Sequence, residues 1–252
     1  MITLFFTGRR LWMTLLVLVG TLVLCRLGIW QLDRLAQRRA INSSLNMRMA
    51  QPAVQLDGAA VDPDALEYRR VEARGVYDSS QEIVLRNREL NGIAGVHVLT
   101  PLRISGSATA VLVDRGWIPR EQADGAARGA AAAPPGEVLI TGVARRSQES
   151  QAGPQDPPLG PDRPRLDAWF RVNIAAIQQQ AGYPLLPIFI EQQPAPGDPA
   201  LPRRMPIADL GEGPHMGYAV QWFAFAIILI VGYVVFTYQQ ASRGRLAAGG
   251  LE

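Results

Sequence analysis

Two apolar blocks, one near each end of the 252-residue chain, restrict its fold more than any other feature. The first covers residues 11–30, LWMTLLVLVGTLVLCRLGIW. At about 1.5 Å of helix per residue, roughly 20 such residues cross a hydrocarbon layer of about 30 Å. Arg9 and Arg10 precede the block, and Arg26 lies one turn from its far end, where a long side chain can snorkel to the headgroups. A cleaved signal would need small residues after the apolar core, but Cys25-Arg26-Leu27-Gly28-Ile29-Trp30 is bulky. Leu24 also stands where a lipoprotein signal ending at Cys25 would want a small residue, and the neighbours of Arg9-Arg10 match a twin-Arg signal poorly. An uncleaved anchor is the expectation. The second block covers 217–238, with Tyr218 and Trp222 at its start and Tyr238 at its end, as interfacial aromatic belts are placed.

Orientation follows from the flanks. Arg9 and Arg10 stand before the first block, and Arg243 and Arg245 after the second, which favours both ends in the cytoplasm. Arg34, Arg38, Arg39, Arg203 and Arg204 flank the other side, but a long domain translocates largely regardless of charge. The expected layout is a cytoplasmic tail over 1–10, a transmembrane helix over 11–30, an extracytoplasmic domain over 31–214, a second transmembrane helix over 215–238 and a cytoplasmic tail over 239–252.

The composition after Trp30 stays helical, so the first helix is expected to run on to about residue 47, with Pro52 as its stop. Runs at 71–77, 82–86, 96–102, 110–118 and 137–143 then read as strands, separated by turns such as Asn91-Gly92 and Ser105-Gly106-Ser107. Residues 173–181 read as a short helix and 186–192 as a last strand. Segments 122–135, 151–165 and 192–206 read as loops from their Ala, Gly and Pro content. The expected class is a membrane α+β protein: two transmembrane helices bracketing an antiparallel sheet or small barrel. Cys25 is the sole cysteine, so no internal disulfide holds the domain, and about 180 residues suffice to bury a core without one.

The chemistry on offer is narrow. There is no Lys, which excludes a Walker-type phosphate loop, and aromatic residues do not interleave with basic ones, which speaks against nucleic acid. Neither a Gly-x-Ser-x-Gly elbow nor a Cys/His metal cluster is present, so an enzyme is not expected. His97 lies in a strand-like run and reads as a structurally satisfied histidine. His215 stands just before the second block, and at 100° per residue it shares a helix face with Tyr218 and Trp222. Arg26, Trp30, Asp33 and Gln37 share a face of the first helix, with Arg34 beside them. An imidazole at a membrane boundary can ligate haem iron between flat aromatics, and arginines can pair with propionates. From the residues alone, ordinary interfacial aromatics and snorkelling arginines are the better reading.

Four motifs resemble the Surfeit locus protein family, in that family's order and over nearly the whole chain. Leu27-Gly28-Ile29-Trp30-Gln31-Leu32-Asp33-Arg34 is similar to its signature after the first helix. Arg74-Gly75-Val76-Tyr77 and Val113-Asp114-Arg115-Gly116-Trp117-Ile118-Pro119 are similar to two strand motifs. Pro214-His215-Met216-Gly217-Tyr218-Ala219-Val220-Gln221-Trp222-Phe223 is similar to the motif at the second helix. Pro214 replaces the family's usual Asn, so no role of that side chain carries over, and Arg38 stands where a later Lys is typical.

The resemblance implies a bacterial inner-membrane assembly factor for cytochrome c oxidase, helping haem a reach the catalytic subunit or stabilising that subunit as it matures. The implied partners are that subunit, the haem a synthesis machinery and the bilayer. His215 becomes the implied haem ligand, with Tyr218, Trp222, Arg26, Trp30 and Arg34 as candidate cofactor contacts. Gln31, Arg115, Gly116 and Trp117 become interaction or structural residues, the last three at either a fold-stabilising corner or a contact surface. The alternative is a membrane scaffold that binds the oxidase subunit and never binds haem.

Overall fold

The computed structural model describes residues 9–124, 129, 131–149, 154–207 and 211–249. The first eight residues of the expected N-terminal tail, and parts of the loops at 122–135 and 151–165, lie outside the described residues. The chain divides into two compact units: Met1–Ser43 with Leu210–Glu252, and Ser44–Asp209.

The first unit contains the helices α1 (Arg9–Ala50, whose last turns belong to the second unit) and α4 (His215–Gly249). Both are long and apolar enough to cross a membrane. α1 ends two residues before Pro52, whose ring disfavours helix in the residue ahead of it. The two helices pack antiparallel, as their contacts show in sequence order. Thr14 Oγ1 lies 2.6 Å from the Tyr233 hydroxyl, Gly20 faces Leu229, and Gly28 faces the ring of Phe223. Gln31 meets His215, and Arg39 pairs with Glu212 at 2.7 Å. In lipid there is little hydrophobic drive for helices to associate, so small residues that admit close packing and polar contacts across the seam take over. Gly28 shows the closeness: a Cβ there would lie 2.7–2.9 Å from three ring carbons of Phe223.

The second unit is a β domain. Its strands are β1 (Val54–Leu56), β2 (Arg70–Tyr77), β3 (Ile83–Leu90), β4 (Ile93–Ile104), β5 (Ala110–Pro119), β6 (Glu137–Arg146), β7 (Ala168–Trp169) and β8 (Leu185–Gln192). The helices α2 (Pro63–Leu66) and α3 (Ile174–Ala181) complete it. The long strands fall where alternation and turn residues place them; β1 and β7, of three and two residues, carry too little pattern to be read. Five strands close on themselves in the order β2-β6-β8-β5-β4, with Gly75–Tyr77 pairing back onto Leu102–Ile104. Closure of an odd ring forces a departure from the antiparallel reading, because five strands cannot alternate direction all the way round. The parallel joint is β5–β8, and the short edge pairs β1–β2 and β3–β7 are parallel as well.

The barrel encloses Val71, Ala73, Leu102, Ile104, Val111, Val113, Ile140, Ile188 and Ile190, all buried. A second cluster lies where Ile174, Ile177 and Ala181 of α3, with Trp169, cover Ile83, Leu85, Leu99, Leu112 and Phe189. α3 is set by Asn173, whose side chain accepts the Ala176 N–H, and by Gly182 in the left-handed conformation at its end. Each fully buried branched side chain is worth about 1.5–3 kcal/mol, so two such clusters support the domain without a disulfide.

Candidate functional site

His215 is the first residue of α4, and Gln31 lies on the α1 face turned toward it. Gln31 is only 9% exposed, and its Oε1 lies 2.8 Å from His215 Nδ1. With Nδ1–H donating to that oxygen, the lone pair of the imidazole is on Nε2. That edge of the ring faces Gly213, at φ +70°; a Cβ on residue 213 would sit 3.5 Å from Nε2 and 3.4 Å from Cδ2. Gly213 is itself exposed, so no side chain of residue 213 stands against Nε2. About two turns away on α1, Arg39 and Glu212 form a two-point pair, Nε to Oε1 at 2.7 Å and Nη2 to Oε2 at 2.8 Å. It holds the segment leading into His215 against α1.

The structure gathers only part of the expected cofactor set. Trp222 is half-buried and meets Phe225 edge-to-face at 6.1 Å. Tyr218 is 48% exposed on the flank of α4. Arg26, Trp30, Asp33 and Gln37 do share a face, but an exposed one, whereas Gly28, Gln31 and Leu35 are the buried positions of this stretch. At 100° per residue the two sets lie on opposite sides of α1. Arg26 and Trp30 are therefore not brought to His215, and the exposed Arg34 bonds Gln37 Oε1 at 3.1 Å on its own helix. Two contributors escaped the sequence reading. Gly213 has only the signal of a glycine two residues before the histidine, and Phe223 was quoted within a motif without a role.

In the β domain, Arg115 is the extra residue of a β-bulge, since Val98 pairs with Gly116 and Leu99 with Asp114. It is 4% exposed and fully engaged: Nη1 donates to Glu82 Oε2 at 3.1 Å, Nη2 to the Ala132 carbonyl at 2.7 Å, and the guanidinium lies 5.4 Å from the ring centroid of Tyr77. Thr100 donates to the same Glu82 oxygen at 2.7 Å. Burial pulls the Arg115 guanidinium below its ordinary value, opposed chiefly by Glu82, and burial pushes the Tyr77 phenol up to about 12. Asp114 holds the bulge from its other side, accepting the Gly116 N–H at 3.0 Å on Oδ1 and facing His97 Nδ1 at 2.8 Å on Oδ2. Trp117 is 6% exposed and exchanges two backbone hydrogen bonds with Arg203, at 2.9 and 2.7 Å. Of the two readings of Arg115-Gly116-Trp117, burial favours the fold-stabilising corner.

The motifs that bear these features extend to whole-chain similarity. Residues 18–227 match the SURF1 family. The chain is 30% identical to an uncharacterized SURF1-like protein of Mycobacterium tuberculosis, over 97% of this chain and 90% of that one. It is 25% identical to a SURF1-like protein of Monosiga brevicollis, over 88% and 86%, and 27% identical to mouse Surfeit locus protein 1, over 78% and 66%. A two-helix membrane protein with a closed β domain, matched to one family over most of its length, belongs to the SURF1 family, a family of cytochrome oxidase assembly factors.

Proposed function

We propose that this protein serves haem–copper cytochrome c oxidase assembly by holding haem a through His215 at the extracytoplasmic boundary of the membrane, for delivery to the catalytic subunit. The observation that carries the reading is the His215–Gln31 pair at one end of the helix seam: an imidazole with Nδ1 engaged and Nε2 beside a glycine, Gly213. That donor set would suit haem, whose iron accepts a neutral imidazole nitrogen. Trp222 supplies a flat apolar surface one face-repeat along α4, and Tyr218 flanks it. Arg26, Trp30 and Arg34 face outward from the helix pair, where they serve the headgroups or the oxidase subunit. The β domain stands outside the cytoplasm and supports the pair or docks the subunit; in bacteria the membrane is the inner one.

The test is the absorption spectrum of the full chain purified from hosts with and without haem a synthesis. The expected result is haem a in an imidazole-type environment, lost in His215→Ala. Unchanged uptake by that variant removes His215 from the reading. No haem in any preparation, with the oxidase subunit still co-purifying, replaces cofactor binding by the scaffold role.

A further inference from the structure

We infer that Gln31 is a positioning residue for the His215 imidazole, fixing its tautomer so that Nε2 is the ligating nitrogen, and that Gly213 keeps the approach to that nitrogen open. The inference rests on the reading of His215 as a cofactor ligand and adds to it which atom binds and what holds it. Three observations converge. Gln31 is nearly buried on the α1 face it shares with Gly28 and Leu35, where a carboxamide is costly unless bonded, and its bond goes to His215 Nδ1 at 2.8 Å. The helix register that brings them together is set by close packing, with Gly28 against the Phe223 ring one turn along α1 from Gln31, and the exposed Arg39–Glu212 pair tethers the segment ahead of α4. The other ring nitrogen lies beside a residue without a side chain, held at φ +70°.

The chemistry follows from the two nitrogens being distinct. A neutral imidazole carries one proton, and a carbonyl-type acceptor at Nδ1 keeps it there, leaving the Nε2 lone pair for a metal. The same hydrogen bond fixes ring rotation and makes Nε2 a stronger donor. A purely structural interhelical hydrogen bond would account for the Gln31 contact and would shift the tautomer on removal, but would leave haem affinity and redox potential indifferent to it.

The chain has two histidines, His97 and His215, so nitrogen-15 histidine spectra of the full chain in detergent resolve both rings, and one His97→Gln sample assigns them. The first measurement uses cofactor-free protein at about pH 8, where an ordinary imidazole is neutral. The expected result is His215 in the Nδ1–H form, and a mixture with Nε2–H in Gln31→Leu. The second measurement is haem a titration with the midpoint potential of the bound form. Gln31→Leu is expected to weaken uptake by about 10–100-fold, as outer-shell changes do, and to raise the potential. Gln31→Glu, which keeps an acceptor, is expected to restore uptake and lower the potential. Gly213→Ala places a methyl at contact distance from Nε2 and is expected to weaken uptake while leaving the tautomer unchanged. Unchanged tautomer, affinity and potential in Gln31→Leu would overturn the inference. Full uptake in His215→Ala would instead overturn the reading beneath it, whatever the Gln31 variants do.

Discussion

Replacing Gly116 by alanine puts the bulge geometry to a quantitative test. Gly116 has φ +123°, and a Cβ built on it falls 2.6 Å from the Arg203 carbonyl oxygen, 2.7 Å from that carbonyl carbon and 3.0 Å from Arg204 N. Ordinary contact begins at 3.4 Å, and all three neighbours are backbone, so no side chain can swing aside. The backbone conformation alone costs a non-glycine residue about 1–3 kcal/mol. Overpacking adds about 1–3 kcal/mol, taken up by moving the 203–204 segment off its bridge to Trp117. The sum is about 4 kcal/mol, or about a thousandfold in the folding constant. Gly92→Ala and Gly106→Ala are the internal controls, since both glycines have positive φ but no atom within 4 Å of the built Cβ; they are expected to cost only about 1–2 kcal/mol of conformational strain. The assay is urea unfolding of the full chain in detergent, followed by near-ultraviolet circular dichroism from the buried Trp117 and Trp169. Hydrogen exchange at the Trp117 and Arg203 amides reads the bridge directly. If Gly116→Ala falls within about 1 kcal/mol of the controls, the 203–204 backbone is not held against the bulge and the packing argument fails.

Three further expectations follow from the geometry. Arg115→Met removes the guanidinium that balances the Glu82 carboxylate, of which only 11% of the side chain is exposed, and leaves it the neutral Thr100 donor; it is expected to cost about 3 kcal/mol in the same unfolding assay, with Glu82→Gln added on top recovering a good part. Burial raises the Asp78 carboxyl, but hydrogen bonds from Ser80 and Tyr183 outweigh it and hold it below its ordinary value of 3.8. The unfolded chain therefore binds the extra proton, the stabilisation is complete above that value and is lost as pH falls through the folded one, so Asp78→Asn should flatten the acid limb of the stability curve below about pH 4. Gly28→Val drives a side chain into the Phe223 ring; it should lower the thermal stability of the helix pair by about 1–3 kcal/mol in detergent, and Phe223→Ala in the same chain should return part of the loss.

Hydropathy alone located both helices, because a bilayer demands an apolar run of fixed length whatever the rest of the chain does. Alternation and turn residues located the long strands, since each answers to a local rule. His215 was legible for a similar reason: with two histidines and no catalytic constellation, a boundary imidazole stands out. The sequence also states the phase of each helix, at 100° per residue, but not which phase meets the partner. Choosing by aromatic and basic content put Arg26 and Trp30 beside the histidine, whereas close packing requires the small Gly28 in the seam, and that turns Gln31 inward. Closure of the five-strand ring, and with it the parallel β5–β8 joint, likewise depends on pairings between residues some 75 positions apart that no local pattern encodes. Arg115 was visible as a motif, but its burial was not, because it follows from one extra residue in β5 relative to β4 and from the carboxylate of Glu82 waiting on β3's leading edge. Local rules thus determined the elements and singled out the boundary histidine, while tertiary packing alone decided which side chains share its surroundings.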